Sequence, residues 1–134
     1  MKTIHLIILS LCLSFIMGSC GSSVKNDPVE IAKATVDCLK KGKFKDINKF
    51  FPEGWNTDTP YDELQEAYDH PTDRNYKKAD RAKSMVNAKF TLTDQKVDGD
   101  NAWVTFDKET TDLKSSIKVY LVKKDGQWYL QTVN

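Results

Sequence analysis

Two hydrophobic periods divide the chain. From Asp27 to about Val86 the apolar residues recur every three or four positions, as on a helix, and from Ala88 onward they alternate, as in a strand. Asp27-Pro28-Val29-Glu30 carries three start signals: a capping Asp, a Pro suited to the first turn, and a Glu placed as in a capping box. Val29, Ala32, Val36 and Leu39 then fall on one face. Lys40, Lys41 and Lys43 favour the C-terminal end of the dipole, and Gly42 suits a left-handed cap. Phe44, Ile47 and Phe51 mark a second, short helix that Pro52 stops. Thr59-Pro60-Tyr61-Asp62 repeats the start signal, with Tyr61, Leu64 and Tyr68 as the inward stripe and His70-Pro71 as the break. Thr72 or Asp73 is placed to cap one more helix, carrying Tyr76, Ala79, Ala82 and Val86.

The alternating half predicts four strands. Phe90 and Leu92 belong to the first, which reaches Val97 before Asp98-Gly99-Asp100 turns the chain. Ala102, Val104 and Phe106 face one way while Trp103 and Thr105 face the other. A polar loop from Thr110 to Lys114 leads to Ile117, Val119 and Leu121. Asp125-Gly126 is the strongest hairpin signal, because a type I′ turn needs positive φ at both positions. Trp128 and Leu130 then alternate against Tyr129 and Gln131. Helices followed by a meander predict an α+β domain with helices on one face of a curved, four-stranded antiparallel sheet. The other face offers Trp103, Tyr120, Val122 and Tyr129, more aromatic than a solvated surface requires. Such a face lines a cavity or meets another protein, a second copy of this chain included.

The first residues follow neither period. Lys2 precedes a run from Ile4 to Met17 broken only by His5, Ser10 and Ser14. These 14 positions fit the apolar region of a signal peptide and are short of the ~20 that a membrane-spanning helix needs. Met17-Gly18-Ser19-Cys20 follows, and it resembles the lipobox of bacterial lipoproteins, with Met17 in place of the commoner Leu. The resemblance implies a diacylglyceryl thioether on Cys20, cleavage before it, and acylation of the new amine. Two chains at about 0.8 kcal/mol per buried CH₂ make stable membrane anchoring. An ordinary secretory peptide and an uncleaved anchor are the alternatives. The expected organisation is a signal peptide over 1–19, a lipidated Cys20 with its tether over 20–27, and one domain over 28–134.

Composition refines this picture. Cleavage removes 19 of the 134 residues and leaves 115, about one domain. Twenty basic residues against 19 acidic ones argue against a nucleic-acid partner. Of the three cysteines, Cys12 leaves with the signal and Cys20 takes lipid, so Cys38 is expected to stay a free thiol and no internal disulfide is expected. Gly21 after the lipidated Cys differs from the Asp-type signal for retention in the inner membrane. The expected location is therefore the cell envelope, lipid-anchored to a bacterial membrane, with the outer membrane or periplasmic face favoured.

A wider resemblance covers nearly all of the mature chain. The lipobox and tether, Val29-Glu30-Ile31-Ala32-Lys33 through Leu39-Lys40-Lys41-Gly42-Lys43-Phe44, and the ending Val122-Lys123-Lys124-Asp125-Gly126-Gln127-Trp128-Tyr129-Leu130 form one pattern. The chain resembles small bacterial lipoproteins of a domain-of-unknown-function family in the nuclear transport factor 2-like (cystatin-like, lumazine-binding-like) superfamily. That implies a cone, with a curved antiparallel sheet wrapped around helices and often a pocket at the open end. Isomerases, dehydratases, transport factors and secretion-system parts share the fold, so function must come from the site.

Candidate chemistry is sparse. His70, the only histidine after cleavage, precedes Pro71 at a helix break, an exposed loop position. Cys38 reads as a small buried hydrophobe. Asp94, Asp98 and Asp100 lack the spacing and closing Glu of a calcium loop, and one His with one Cys makes no zinc site. Glu63, Glu66, Asp69 and Asp73 with Arg74, Lys77, Lys78 and Arg81 read as a solvated face. No cofactor, metal or catalytic residue is expected. The expectation is a membrane-tethered module binding an envelope protein or a small ligand, with Trp103, Tyr120 and Tyr129 as its contact face. The alternative is a small isomerase or dehydratase using a pocket carboxylate beside a Tyr or Trp donor.

Overall fold

The computed structural model describes residues 24–54 and 60–134. Residues 1–19, expected to be a signal peptide, together with Cys20 and residues 21–23 of the expected tether, lie outside the described residues. Helix α1 (Pro28–Lys41) starts where the sequence indicates, because the Asp27 carboxylate accepts the Val29 and Glu30 amides at 3.1 Å each. Glu30 does not reach back as a capping box would; it approaches Lys33 instead, at 3.6 Å. The helix ends in a Schellman motif. Gly42 has φ of 70°, its N–H donates to the Leu39 carbonyl, and the Lys43 N–H donates to that of Cys38.

The buried face of α1 is wider than the stripe in the sequence: Ile31, Thr35 and Cys38 join Ala32, Val36 and Leu39, while Val29 is only half-buried. Thr35 is accommodated there because its hydroxyl donates to the Ile31 carbonyl at 2.8 Å. The next segment, Phe44–Phe50, is a 3₁₀ helix. Its repeat of three buries Phe44, Ile47 and Phe50 in place of the expected Phe51. Phe51 is half-buried and lies against Tyr61, ring centroids 6.1 Å apart.

Helix α2 (Pro60–Asp69) buries Leu64 and Ala67, and helix α3 (Tyr76–Val86) buries Ala79 and Ala82. Thr72 and Asp73 do not cap α3. The Thr72 hydroxyl accepts from the Arg74 and Asn75 amides in a turn, and the helix begins later, behind Asn75. Tyr76, expected inward, is 54% exposed at the first position of α3.

The sheet is a meander in the order β1 (Lys89–Asp98), β2 (Asn101–Glu109), β3 (Lys114–Lys124), β4 (Gln127–Val133), all antiparallel. Alternation sets the faces as expected: Ala102, Val104, Phe106, Ile117, Val119, Leu121, Trp128 and Leu130 are buried beneath the helices. Helix α1 lies on β2, β3 and β4, while α2 and α3 pack on each other. Two bulges bend the sheet around this core. The β1 register shifts between Leu92 and Asp94, and Gln131 is left over where Leu121 pairs Leu130 but Tyr120 pairs Thr132. The β3–β4 turn is of the predicted kind, with φ of 51° at Asp125 and 79° at Gly126.

Candidate functional site

The sheet face turned away from the helices carries the three aromatic residues singled out by alternation. Trp103 and Tyr120 are direct cross-strand partners on β2 and β3. Tyr129 pairs with Val122, two positions along β3 from Tyr120 and therefore on the same side. The three share one face, but they do not form an open aromatic plate. Each is half-buried, and among the described residues the exposed large apolar side chains are Tyr76, Val97 and Leu113. Long polar neighbours account for part of this cover. The Lys96 ammonium lies 5.3 Å from the centre of the Trp103 ring, and Lys96 is also the β1 partner of Trp103.

A second grouping lies at the other end of the strands, and sequence reading missed it. Lys108 follows Ala102, Val104 and Phe106 at the same parity, so β2 aims a lysine toward the helices where the core closes. Its Nζ donates to the Ser84 hydroxyl on α3 at 3.1 Å, and that hydroxyl donates to the Arg81 carbonyl at 2.9 Å. Burial pushes the Lys108 amine below its usual pKa, and the Arg81 charge pushes the same way. Burial pushes Tyr61 up to about 12, against the opposing pull of Arg81. The signal for this cluster was the lysine interrupting an inward apolar alternation.

Other candidates stay apart. His70 is exposed, its amide closing the end of α2 on the Glu66 carbonyl. Asp94, Asp98 and Asp100 are exposed on the β1–β2 hairpin, and no three metal-binding side chains gather among the described residues. Cys38 corrects the sequence expectation. It is wholly buried, as a small hydrophobe should be, but it is disulfide-bonded rather than a free thiol. Its partner lies outside the described residues. Local spacing cannot reveal such a link, because it joins α1 to a segment of no fixed period. No helix among the described residues is long and apolar enough to cross a membrane.

No protein-family model matches the chain, and no curated protein does. Solved structures do. The chain is similar to a putative NTF2-like transpeptidase from Campylobacter jejuni, at 21% identity and a TM-score of 0.51, over 78% of this chain and 96% of that one. It is also similar to an NTF2-like protein of unknown function from Shewanella oneidensis, at 17% identity and a TM-score of 0.46, over 79% and 93%. A DUF4783 family protein from Bacteroides ovatus shares 14% identity at a TM-score of 0.46, over 75% and 88%. The first likeness, with the helices and the curved four-stranded sheet, makes this an NTF2-like α+β fold, as the sequence pattern implies.

Proposed function

We propose that the protein is a cell-envelope lipoprotein held to a membrane through acylated Cys20, whose NTF2-like body binds an envelope protein or a small ligand. The carrying observation is where the folded body starts. Asn26, six residues after Cys20, is already built into the domain: its side chain donates to the Gly126 carbonyl at 2.9 Å and accepts the Trp128 amide at 2.8 Å. A lipid on Cys20 would therefore hold a rigid body close to the bilayer. The contact surface in this reading is the outer sheet face with Trp103, Tyr120 and Tyr129, opposite the face on which the described helices pack.

An isomerase or dehydratase reading needs a carboxylate against a tyrosine donor. The tyrosine whose hydroxyl burial pushes up, Tyr61, has a cation acting on it, Arg81. The likeness to the Campylobacter jejuni protein, at 21% identity, is one of fold and brings no activity with it.

The state of the Cys20 sulfur decides the matter. A thioether and a disulfide to Cys38 exclude each other on one sulfur, and cleavage before Cys20 removes Cys12. Intact-mass analysis of the native protein should find diacylglyceryl on Cys20. Cys20→Ser should leave the membrane fraction. A mature product with unmodified Cys20, or with Cys20 joined to Cys38, would overturn the reading.

A further inference from the structure

We propose that Lys108 and Arg81 form a binding site for a carboxylate carried on a small apolar body, where the ends of β2 and α3 meet. The site is independent of Cys20 and of the outer sheet face. Lys108 stands in the inward row of β2, and its partners across the strands are Phe90 on β1 and Ser115 on β3. Neither balances its charge. The Lys108 Nζ donates one hydrogen to the Ser84 hydroxyl, at 3.1 Å, and an ammonium has three. Arg81 sits one turn before Ser84 on α3, and its carbonyl accepts the Ser84 hydroxyl at 2.9 Å. Its guanidinium is near enough to act on the Lys108 amine, and it acts on the Tyr61 hydroxyl of α2 as well. Two like charges are thus held together at one end of the core.

No acid answers them. Among the described residues the ion pairs join Lys33 to Glu30, Lys41 to Asp37 and Lys78 to Glu63, and neither Arg81 nor Lys108 takes part in one. Asp62 on α2 accepts from Asn48 at 2.9 Å, and Asp80, the acidic residue of α3, is exposed and within ion-pair distance of neither cation. An anion between the two removes their repulsion. The arginine fork and the remaining ammonium hydrogens suit the two oxygens of a carboxylate. The apolar part of the ligand follows from the surroundings: Phe90, Leu92 and Met85 pack on the core at this end and are only half-buried. A phosphate, polar on every side, gains nothing from such a wall.

The test is an amide NMR titration of the full chain in detergent with benzoate, with benzamide as its uncharged counterpart, and with inorganic phosphate, all at constant chloride. Benzoate should shift the Ser84, Met85 and Lys108 signals to saturation, while benzamide leaves them in place and phosphate binds about tenfold more weakly. Lys108→Met and Arg81→Gln should each weaken benzoate by about tenfold, as expected for the loss of a charge-assisted hydrogen bond. Lys83→Gln removes an exposed cation of the same helix and should leave the affinity unchanged. The same spectra show whether each variant is folded. The site is overturned by any of three results: no saturable shift at those amides, benzamide or phosphate binding as tightly as benzoate, or a loss in Lys83→Gln equal to that in Arg81→Gln.

Discussion

The Trp128 amide, on the free edge of β4, donates to the Asn26 side chain across 102 positions of sequence, at 2.8 Å. Asn26 returns a donor to Gly126, so one amide group brackets the last turn of the sheet and fastens the start of the domain to its end. Asn26→Ala should cost about 1–2 kcal/mol, the loss of two partly solvated hydrogen bonds. Asn26→Asp keeps the acceptor and should cost less. Urea melts would measure both, and equal losses would mean that the bond to Trp128 adds nothing.

Trp128 and Trp103 separate the two faces of the sheet. Trp128 is 7% exposed in the core, while Trp103 is half-buried on the outer face. Trp128→Ala should destabilise the domain by about 3–5 kcal/mol, and Trp103→Ala by about 1–2 kcal/mol. The outer-face change should instead weaken partner or ligand capture. A reversed order in denaturant melts would mean the faces are exchanged.

Gly42 is needed twice, for its φ of 70° and for space: a Cβ there would lie 2.9 Å from Cε2 of Tyr68. Gly42→Ala should cost about 1–3 kcal/mol. In a Tyr68→Ala background the same change should cost less, because the contact is gone, but more than zero, because the backbone strain persists. Thermal melts of the four proteins would give the coupling.

Tyr61 predicts how alkali acts. Its hydroxyl is pushed from the ordinary 10.0 up to about 12, so the folded state holds the proton more tightly than the unfolded one. Its contribution is complete below pH 10 and declines as pH rises toward 12, by about 2 kcal/mol in all. Tyr61→Phe should remove this decline while keeping the ring against Phe51. Lys108, lowered by burial, works in the opposite sense just below 10.5, but it is present in both proteins and cancels. Parallel pH dependence of wild type and variant from pH 9 to 12 would refute the assignment.

Which features were legible follows from the range of the forces behind them. Alternation of Ala102, Val104 and Phe106 against Trp103 and Thr105 is a property of adjacent residues, and the sheet faces came out as read. The Asp125-Gly126 turn and the Asp27 cap are equally local. Phe50 and Phe51 changed places because a 3₁₀ turn counts three residues where an α turn counts 3.6, and both keep aromatics near each other in the sequence. Tyr76 was misplaced because helical spacing shows a stripe but not which of its positions meet a neighbour. On the outer sheet face, alternation placed Trp103, Tyr120 and Tyr129 on one side, but not the Lys96 ammonium over the Trp103 ring. The bulge at Gln131, the reach of Asn26 and the Lys108–Ser84–Arg81 chain depend on segments distant in sequence meeting, which no window of neighbours contains.

The amide bracket at Asn26 also bears on self-assembly. A meander has two outer strands, and each is a template onto which foreign backbone can zip. On β4 the Trp128 donor is already taken, and the surplus Gln131 breaks the ladder a few residues on, so an incoming strand finds little continuous purchase. Strand β1 carries its own kink after Leu92 and a lysine or aspartate at Lys89, Asp94, Lys96 and Asp98. Filament growth requires two compatible rims, and this protein offers neither intact. It can therefore be crowded on a surface at high density without polymerising through its edges.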